Sequence, residues 1–262
     1  MKEDVGRLRE QGQLALEQGQ AGKAVACLEK ARELAPDDLE VRHLLIEALQ
    51  EAGRFDWAEA EIEQTLSLAP GDFSLLLSKG DLLFARGRID EARDCYRQAV
   101  EGGEQAADAW VSLALTWYHQ GDIGQARDCC QKALELEPDS VFALNCMGDI
   151  LAAEGDVDGA RRSYERVVDL EPDDPQAHYS LAELMYDQGE LQAAERKCRQ
   201  VLGLDPAFAF AWLTLGNIYL DQEQPREAIH AFSKFLELEK GEQAAQARDE
   251  VKAVIEGLRA EL

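Results

Sequence analysis

The stretch Gly121-Asp-Ile-Gly-Gln-Ala-Arg-Asp-Cys-Cys-Gln-Lys-Ala-Leu-Glu-Leu-Glu-Pro138 decides the fold. It reads as one helix with its punctuation: a glycine opens it, small and apolar residues recur at helical spacing, and a proline closes it. The same phrase occurs at Gly53–Pro70, Gly155–Pro172 and Gly189–Pro206. The last two copies follow the quoted one at a period of 34 residues. Repetition at such a period predicts a stacked array of small units, each too small to bury its own apolar faces.

Working outward, a 34-residue frame divides the chain into repeats 5–38, 39–72, 73–106, 107–140, 141–174, 175–208 and 209–242. Place 15 is glycine in the first six repeats, from Gly19 to Gly189, where the first helix ends and a residue with positive φ is wanted. Place 20 is alanine in all seven, Ala24, Ala58, Ala92, Ala126, Ala160, Ala194 and Ala228, which suits a close crossing of two helices. Place 32 holds Pro36, Pro70, Pro138, Pro172 and Pro206, which stop the second helix. Asp122, Asp156 and Glu190 stand where they would cap second helices, and Asp38 and Ser140 where they would start first ones.

Composition sets limits on partners. The chain has 262 residues, 46% of them hydrophobic, with 52 acidic and 27 basic side chains and a net charge of −25. That field repels a polyanion, so nucleic acid is not an expected partner, and an anionic membrane surface is disfavoured for the same reason. No apolar run is long enough to span a bilayer, and Met1–Glu10 lacks the apolar core of a secretory signal, so a cytoplasmic location is expected. Cys27, Cys95 and Cys129 occupy one place in three repeats, too far apart for a disulfide between stacked helices. The six cysteines are therefore expected to pack as reduced, small apolar side chains.

No catalytic constellation emerges. His43, His119, His178 and His230 sit at four different places in the frame, with no metal-ligand spacing between them. Asp156-Val157-Asp158-Gly159 faintly suggests a calcium loop but lacks the later ligands, so a turn and helix cap explain it better. The expectation is a chain that is not an enzyme and carries no cofactor or metal.

With these columns in view, the chain resembles the tetratricopeptide repeat (TPR) family. Trp212, Leu215, Gly216, Tyr219, Ala228 and Phe232 of the last repeat follow its pattern closely. Trp110, Leu113, Ala114, Trp117, Ala126, Ala133 and Pro138 do so in the fourth. The resemblance implies an all-α, right-handed superhelical solenoid of seven helical hairpins over residues 5–242, with residues 243–262 as a capping helix. In that capping helix, Ala247, Val251, Val254, Ile255, Leu258 and Leu262 share one face. Two departures stand out: Glu223 replaces the place-15 glycine, and Gly102-Gly103-Glu104 lacks a proline, which makes that turn a candidate hinge.

The family's binding surface, carried over by place, is the concave wall formed by first helices at places 2, 5, 9, 12 and 13. In this sequence it draws Asp81, Phe84, Tyr118, Phe142, Asn145, Asp149, Tyr179, Glu183, Tyr186, Phe210 and Asn217 as candidate partner-binding residues. Carboxylates there would select positive charge, aromatic rings would supply contact area, and the asparagines could pair with an extended peptide backbone. The alternative reading is that these acids merely keep an open trough soluble. The pattern of a carboxylate-clamp co-chaperone, which grips acidic tails with Lys and Arg, is missing: place 5 reads Arg9, His43, Leu77, Val111, Asn145, Tyr179 and Leu213. Arg93, Arg127 and Arg161 make a mild basic line on the second helices, read as solvated surface or a second docking face. The sequence thus predicts a non-catalytic scaffold for a basic or neutral protein segment. Its competitor is a structural subunit or assembly factor of a larger complex, self-associating or tethered to a secretion, pilus or envelope machine.

Overall fold

A computed structural model describes residues 2–102, 106–241 and 244–262. The chain separates into two compact units, Met1–Glu137 and Pro138–Leu262. In the first, α1 (Lys2–Glu17) pairs with α2 (Ala21–Leu34), α3 (Leu39–Glu51) with α4 (Phe55–Leu68), α5 (Phe73–Ala85) with α6 (Ile89–Glu101), and α7 (Ala107–His119) with α8 (Ile123–Leu136). In the second, α9 (Val141–Glu154) pairs with α10 (Val157–Leu170), α11 (Pro175–Asp187) with α12 (Leu191–Leu204), and α13 (Ala209–Asp221) with α14 (Pro225–Leu238). A last helix, α15 (Ala245–Glu261), follows. Its Val251 and Ile255 are buried against Phe232 and Phe235 of α14, while Leu262 stays exposed.

The punctuation works as its chemistry dictates. Each place-15 glycine from Gly19 to Gly189 has a positive φ, and Glu223 takes the same turn at φ 56°, a conformation an L side chain adopts at a cost. Asp38, Asp72, Asp122, Ser140, Asp156 and Asp174 accept helix-capping bonds from backbone N–H groups. Glu190 does not cap α12; its longer side chain instead accepts from Arg161 at 2.7 Å. The Gly103-Glu104 part of the candidate hinge lies outside the described residues.

In the third to seventh hairpins the helices cross at places 8 and 24, where volumes compensate. Gly80 faces Tyr96, Gly148 faces Tyr164 and Gly216 faces Phe232; a Cβ on any of these glycines would lie 2.3–2.4 Å from a ring carbon. Two of the intervening repeats use Ala114 with Cys130 and Ala182 with Cys198, all fully buried. Glycine admits an aromatic ring, and alanine leaves room only for a thiol. All six cysteines remain thiols, and five of them are buried.

Place 4 shows one job done by three chemistries. Arg42 Nε donates to the Pro36 carbonyl at 2.5 Å, His178 Nε2 to that of Pro172 at 2.8 Å, and Trp212 Nε1 to that of Pro206 at 3.2 Å. Each ties the end of one repeat to the start of the next and satisfies a carbonyl of the turn between them. Arg42 also joins an ion triad: the buried Glu61, 3% exposed, bonds the buried Arg42 and the half-buried Arg32 at 2.5 Å each.

Candidate functional site

The sequence-derived site residues fall into both units, and each set is described within its own. In the first unit, Asp81 and Phe84 stand on α5 and Tyr118 on α7. Tyr96 donates its hydroxyl to Asp81 at 2.7 Å, and Phe84 meets the His119 ring edge-on at 5.2 Å. Asp81 also borders a cavity of about 240 Å³ with Phe55 and Arg86. Burial pushes the Asp81 carboxyl above its ordinary value, and the Tyr96 bond pulls the other way.

The second unit holds the larger set. Phe142, Asn145 and Asp149 lie one helical turn apart on α9, as do Tyr179, Glu183 and Tyr186 on α11, and Phe210 and Asn217 lie two turns apart on α13. That spacing puts each triplet on one face of its helix. Three tyrosine–carboxylate bonds organise the region: Tyr164 to Asp149 at 2.6 Å, Tyr179 to Glu183 at 2.9 Å, and Tyr186 to Asp221 at 2.9 Å. The last spans α11 and α13, as does the 3.2 Å bond between Tyr179 and Thr214. Tyr179 is only 7% exposed and packs on Phe208, so its part is to hold Glu183 rather than to meet a ligand directly. Phe142 and Phe210 are 45% and 42% exposed and present open aromatic surface.

Tyrosine hydroxyls hold most of these acids. Acids such as Glu59, Glu190 and Glu195 pair with arginines. Among the described residues, none of Asp81, Asp149, Glu183, Asp187 and Asp221 forms a salt bridge; a tyrosine hydroxyl holds four of the five. Partial desolvation by the surrounding helices raises the carboxyls of Asp149 and Glu183 above their ordinary 3.8 and 4.5, against the lowering effect of their tyrosine bonds, although both residues are exposed at the surface. The charges of Asp187 and Asp149 push Glu183 further up. Tyr186 rises to about 12, first through desolvation and then through Asp221. Asn145 Oδ1 is buried without a hydrogen-bond partner among the described residues.

These tyrosine anchors are what the sequence reading missed. Tyr96 and Tyr164 sit on second helices, 15 residues after the carboxylates they bind, and belong to the packing column of place 24. The basic line also has structural employment. Arg93 lies over the Trp117 ring at 4.8 Å and bonds Gln120, and Arg161 bonds Glu190, so both join successive repeats. Among the described residues no cluster of His, Cys, Asp and Glu is arranged to hold a metal. None of the described helices is long and apolar enough to cross a membrane.

Known proteins place this architecture. Models of the tetratricopeptide repeat match residues 15–82, 77–141, 147–207, 129–162 and 209–242. No curated protein matches the sequence at a significant level. Among solved structures, a tetratricopeptide repeat protein from Parabacteroides merdae is similar with a TM-score of 0.80 at 17% identity, covering 98% of this chain and 99% of the other. Pseudomonas aeruginosa pilF is similar with a TM-score of 0.67 at 20% identity, over 78% of this chain and 93% of its own. YrrB, described as a TPR protein with an unusual peptide-binding site, reaches 0.56 at 20% identity, over 70% of this chain and 95% of its own. At such identities the likeness speaks for the fold alone. The repeat models leave little of the described array unmatched, and the chain belongs to the tetratricopeptide repeat family.

Proposed function

We propose that the chain is a non-catalytic interaction scaffold and that α9, α11 and α13 receive a basic or neutral protein segment. The observation that carries this reading is the set of carboxylates, Asp149, Glu183 and Asp221, fixed by tyrosine hydroxyls and left without cations. A fixed, partly desolvated and uncompensated negative cluster is a preorganised receptor for a lysine or arginine side chain, because the protein has already met the cost of gathering the charges. The exposed rings of Phe142 and Phe210 add contact area beside it, and the half-buried Asn145 and Asn217 supply amides for a peptide backbone. A trough kept acidic only for solubility would gain nothing from holding its carboxylates still.

Peptide binding followed by fluorescence anisotropy tests the reading. A lysine-rich peptide with one leucine should bind, and its serine counterpart should not. Asp149→Asn with Glu183→Gln keeps acceptors for the tyrosines while removing two charges, and should weaken the lysine peptide by roughly tenfold or more. It should also flatten the salt dependence. Equal affinity for wild type and double variant would refute the assignment. For the competing assembly reading, light scattering decides: a clean monomer at high concentration removes self-association.

A further inference from the structure

The second unit has another concavity, away from those carboxylates, between α12 and α14 over the packed side of α13. It is a cleft of about 730 Å³ floored by Leu202, Trp212, Leu215 and Tyr219. Arg199, Arg226 and His230 line it, with Glu227 the one acid among the lining residues. In a chain of net charge −25, two arginines and a histidine gathered around an apolar floor with one lining acid are unusual.

Comparison between repeats shows where the cleft comes from. Place 29 is Glu33, Ser67, Glu101, Glu135, Asp169 and Glu237 in six repeats and Gly203 in the sixth, so one side chain is missing and the floor lies open. Place 18 is Asp56, Asp90 and Asp158 in three repeats and Arg226 in the last. Arg226 sits in the first turn of α14, the end of a helix where a cation is disfavoured and an aspartate welcome. It makes no hydrogen bond or ion pair among the described residues, whereas Arg199 is held by Glu195 at 2.8 Å and by Tyr219 at 3.1 Å. Neither helix propensity nor packing accounts for a glycine at 203 and an arginine at 226.

We propose that this cleft docks an acidic segment of a partner protein that carries a large apolar side chain. The apolar side chain would lie on Trp212 and Leu202, and the flanking carboxylates would meet Arg226 and His230, with the N-terminus of α14 adding to the attraction. The charge complementarity is opposite to that of the carboxylate cluster on α9, α11 and α13, so the two surfaces would sort partners by sign and either can stand without the other.

Three fluorescein-labelled peptides test it at about 0.15 M salt, where screening within about 8 Å leaves the local residues in control. They are Glu-Glu-Leu-Phe-Glu-Glu, Lys-Lys-Leu-Phe-Lys-Lys and Glu-Glu-Ser-Ser-Glu-Glu. The variants are Gly203→Glu and Arg226→Glu. A Cβ at Gly203 meets nothing within 4 Å, so that variant restores the side chain usual at place 29 without straining the helix. Circular dichroism melting should confirm unchanged folding. The first peptide should bind more tightly than the serine peptide, lose roughly tenfold or more in affinity to either variant, and be indifferent to Glu183→Gln. The proposal is overturned by no binding up to about 1 mM, a weak limit for any specific site, or by affinity unchanged in both variants. Equal affinity for the serine peptide would also overturn it, as would lysine-peptide binding that Arg226→Glu weakens and Glu183→Gln leaves unchanged. So would self-association that Gly203→Glu abolishes, because the cleft would then belong to a second copy of the chain.

Discussion

Replacing Gly148 by alanine tests how these hairpins are packed. The new Cβ would lie 2.3 Å from Tyr164 Cε1 and 2.7 Å from Cδ1 and Cζ. Carbon atoms settle at about 3.5–4.0 Å, so the ring must retreat by more than about 1 Å from a site where it is buried. Overpacking of this kind costs about 1–3 kcal/mol. Moving the ring also strains the 2.6 Å bond to Asp149, and a hydrogen bond to a charged group is worth about 1.5–3 kcal/mol. Helix propensity returns about 1 kcal/mol, so the net loss should be about 2–4 kcal/mol. Tyr164→Cys alone leaves a cavity and should cost about 3–5 kcal/mol, the usual range for removing a buried aromatic ring. Together, however, the two changes reproduce the Ala–Cys pair of positions 114 and 130 and of 182 and 198. The double variant should therefore be more stable than the sum of the singles by about 1–3 kcal/mol. Urea unfolding at constant m reads the cycle. Additivity within about 0.5 kcal/mol would refute the claim that places 8 and 24 share one volume.

Three further outcomes follow from named residues. Glu223→Gly should raise stability by about 1 kcal/mol, because Glu223 holds φ 56° where six other repeats have glycine; a lower thermal midpoint would contradict this. Glu61→Ala should cost about 3–5 kcal/mol in urea unfolding, since it leaves the buried Arg42 guanidinium uncompensated, whereas a loss under 1 kcal/mol would mean the triad is idle. The raised carboxyls of Asp149 and Glu183 bind protons more tightly in the folded chain than in the unfolded one. Their contribution is therefore favourable on the acid side and is lost as pH rises through their folded values, above the ordinary 3.8 and 4.5. Asp149→Asn with Glu183→Gln should thus gain stability relative to wild type as pH is raised through that window in parallel melting curves, and a constant difference would refute the assignment.

The array was legible because its constraints are local. A glycine at positive φ, an alanine at a close crossing and a proline at a helix end each require one residue type, so the columns at places 15, 20 and 32 stand out without any partner being known. Columns met by several chemistries did not stand out. Arg42, His178 and Trp212 look unrelated until each is seen donating to the carbonyl of a preceding proline. The alternation of Gly–Tyr with Ala–Cys is written in the sequence, but only the crossing of the helices shows that places 8 and 24 share one space. For the candidate site, period and place put Phe142, Asn145 and Asp149 on one helical face. They could not reveal that Tyr179 is buried or that Tyr186 reaches Asp221, because these are contacts between helices, 35 residues apart in the second case. Arg93 and Arg161 read as a surface line for the same reason: Gln120 and Glu190 come to them from the next repeat.

If α9, α11 and α13 receive a basic segment, the carboxylates of Asp149 and Glu183 await a cation. Carbon-13 chemical shifts of the two side-chain carboxyls, titrated with pH in the presence and absence of saturating lysine peptide, test it most directly. Without peptide both midpoints should lie above 3.8 and 4.5, and with peptide both should fall, because a bound ammonium favours the ionised form. Midpoints that the bound peptide leaves unmoved would contradict the claim.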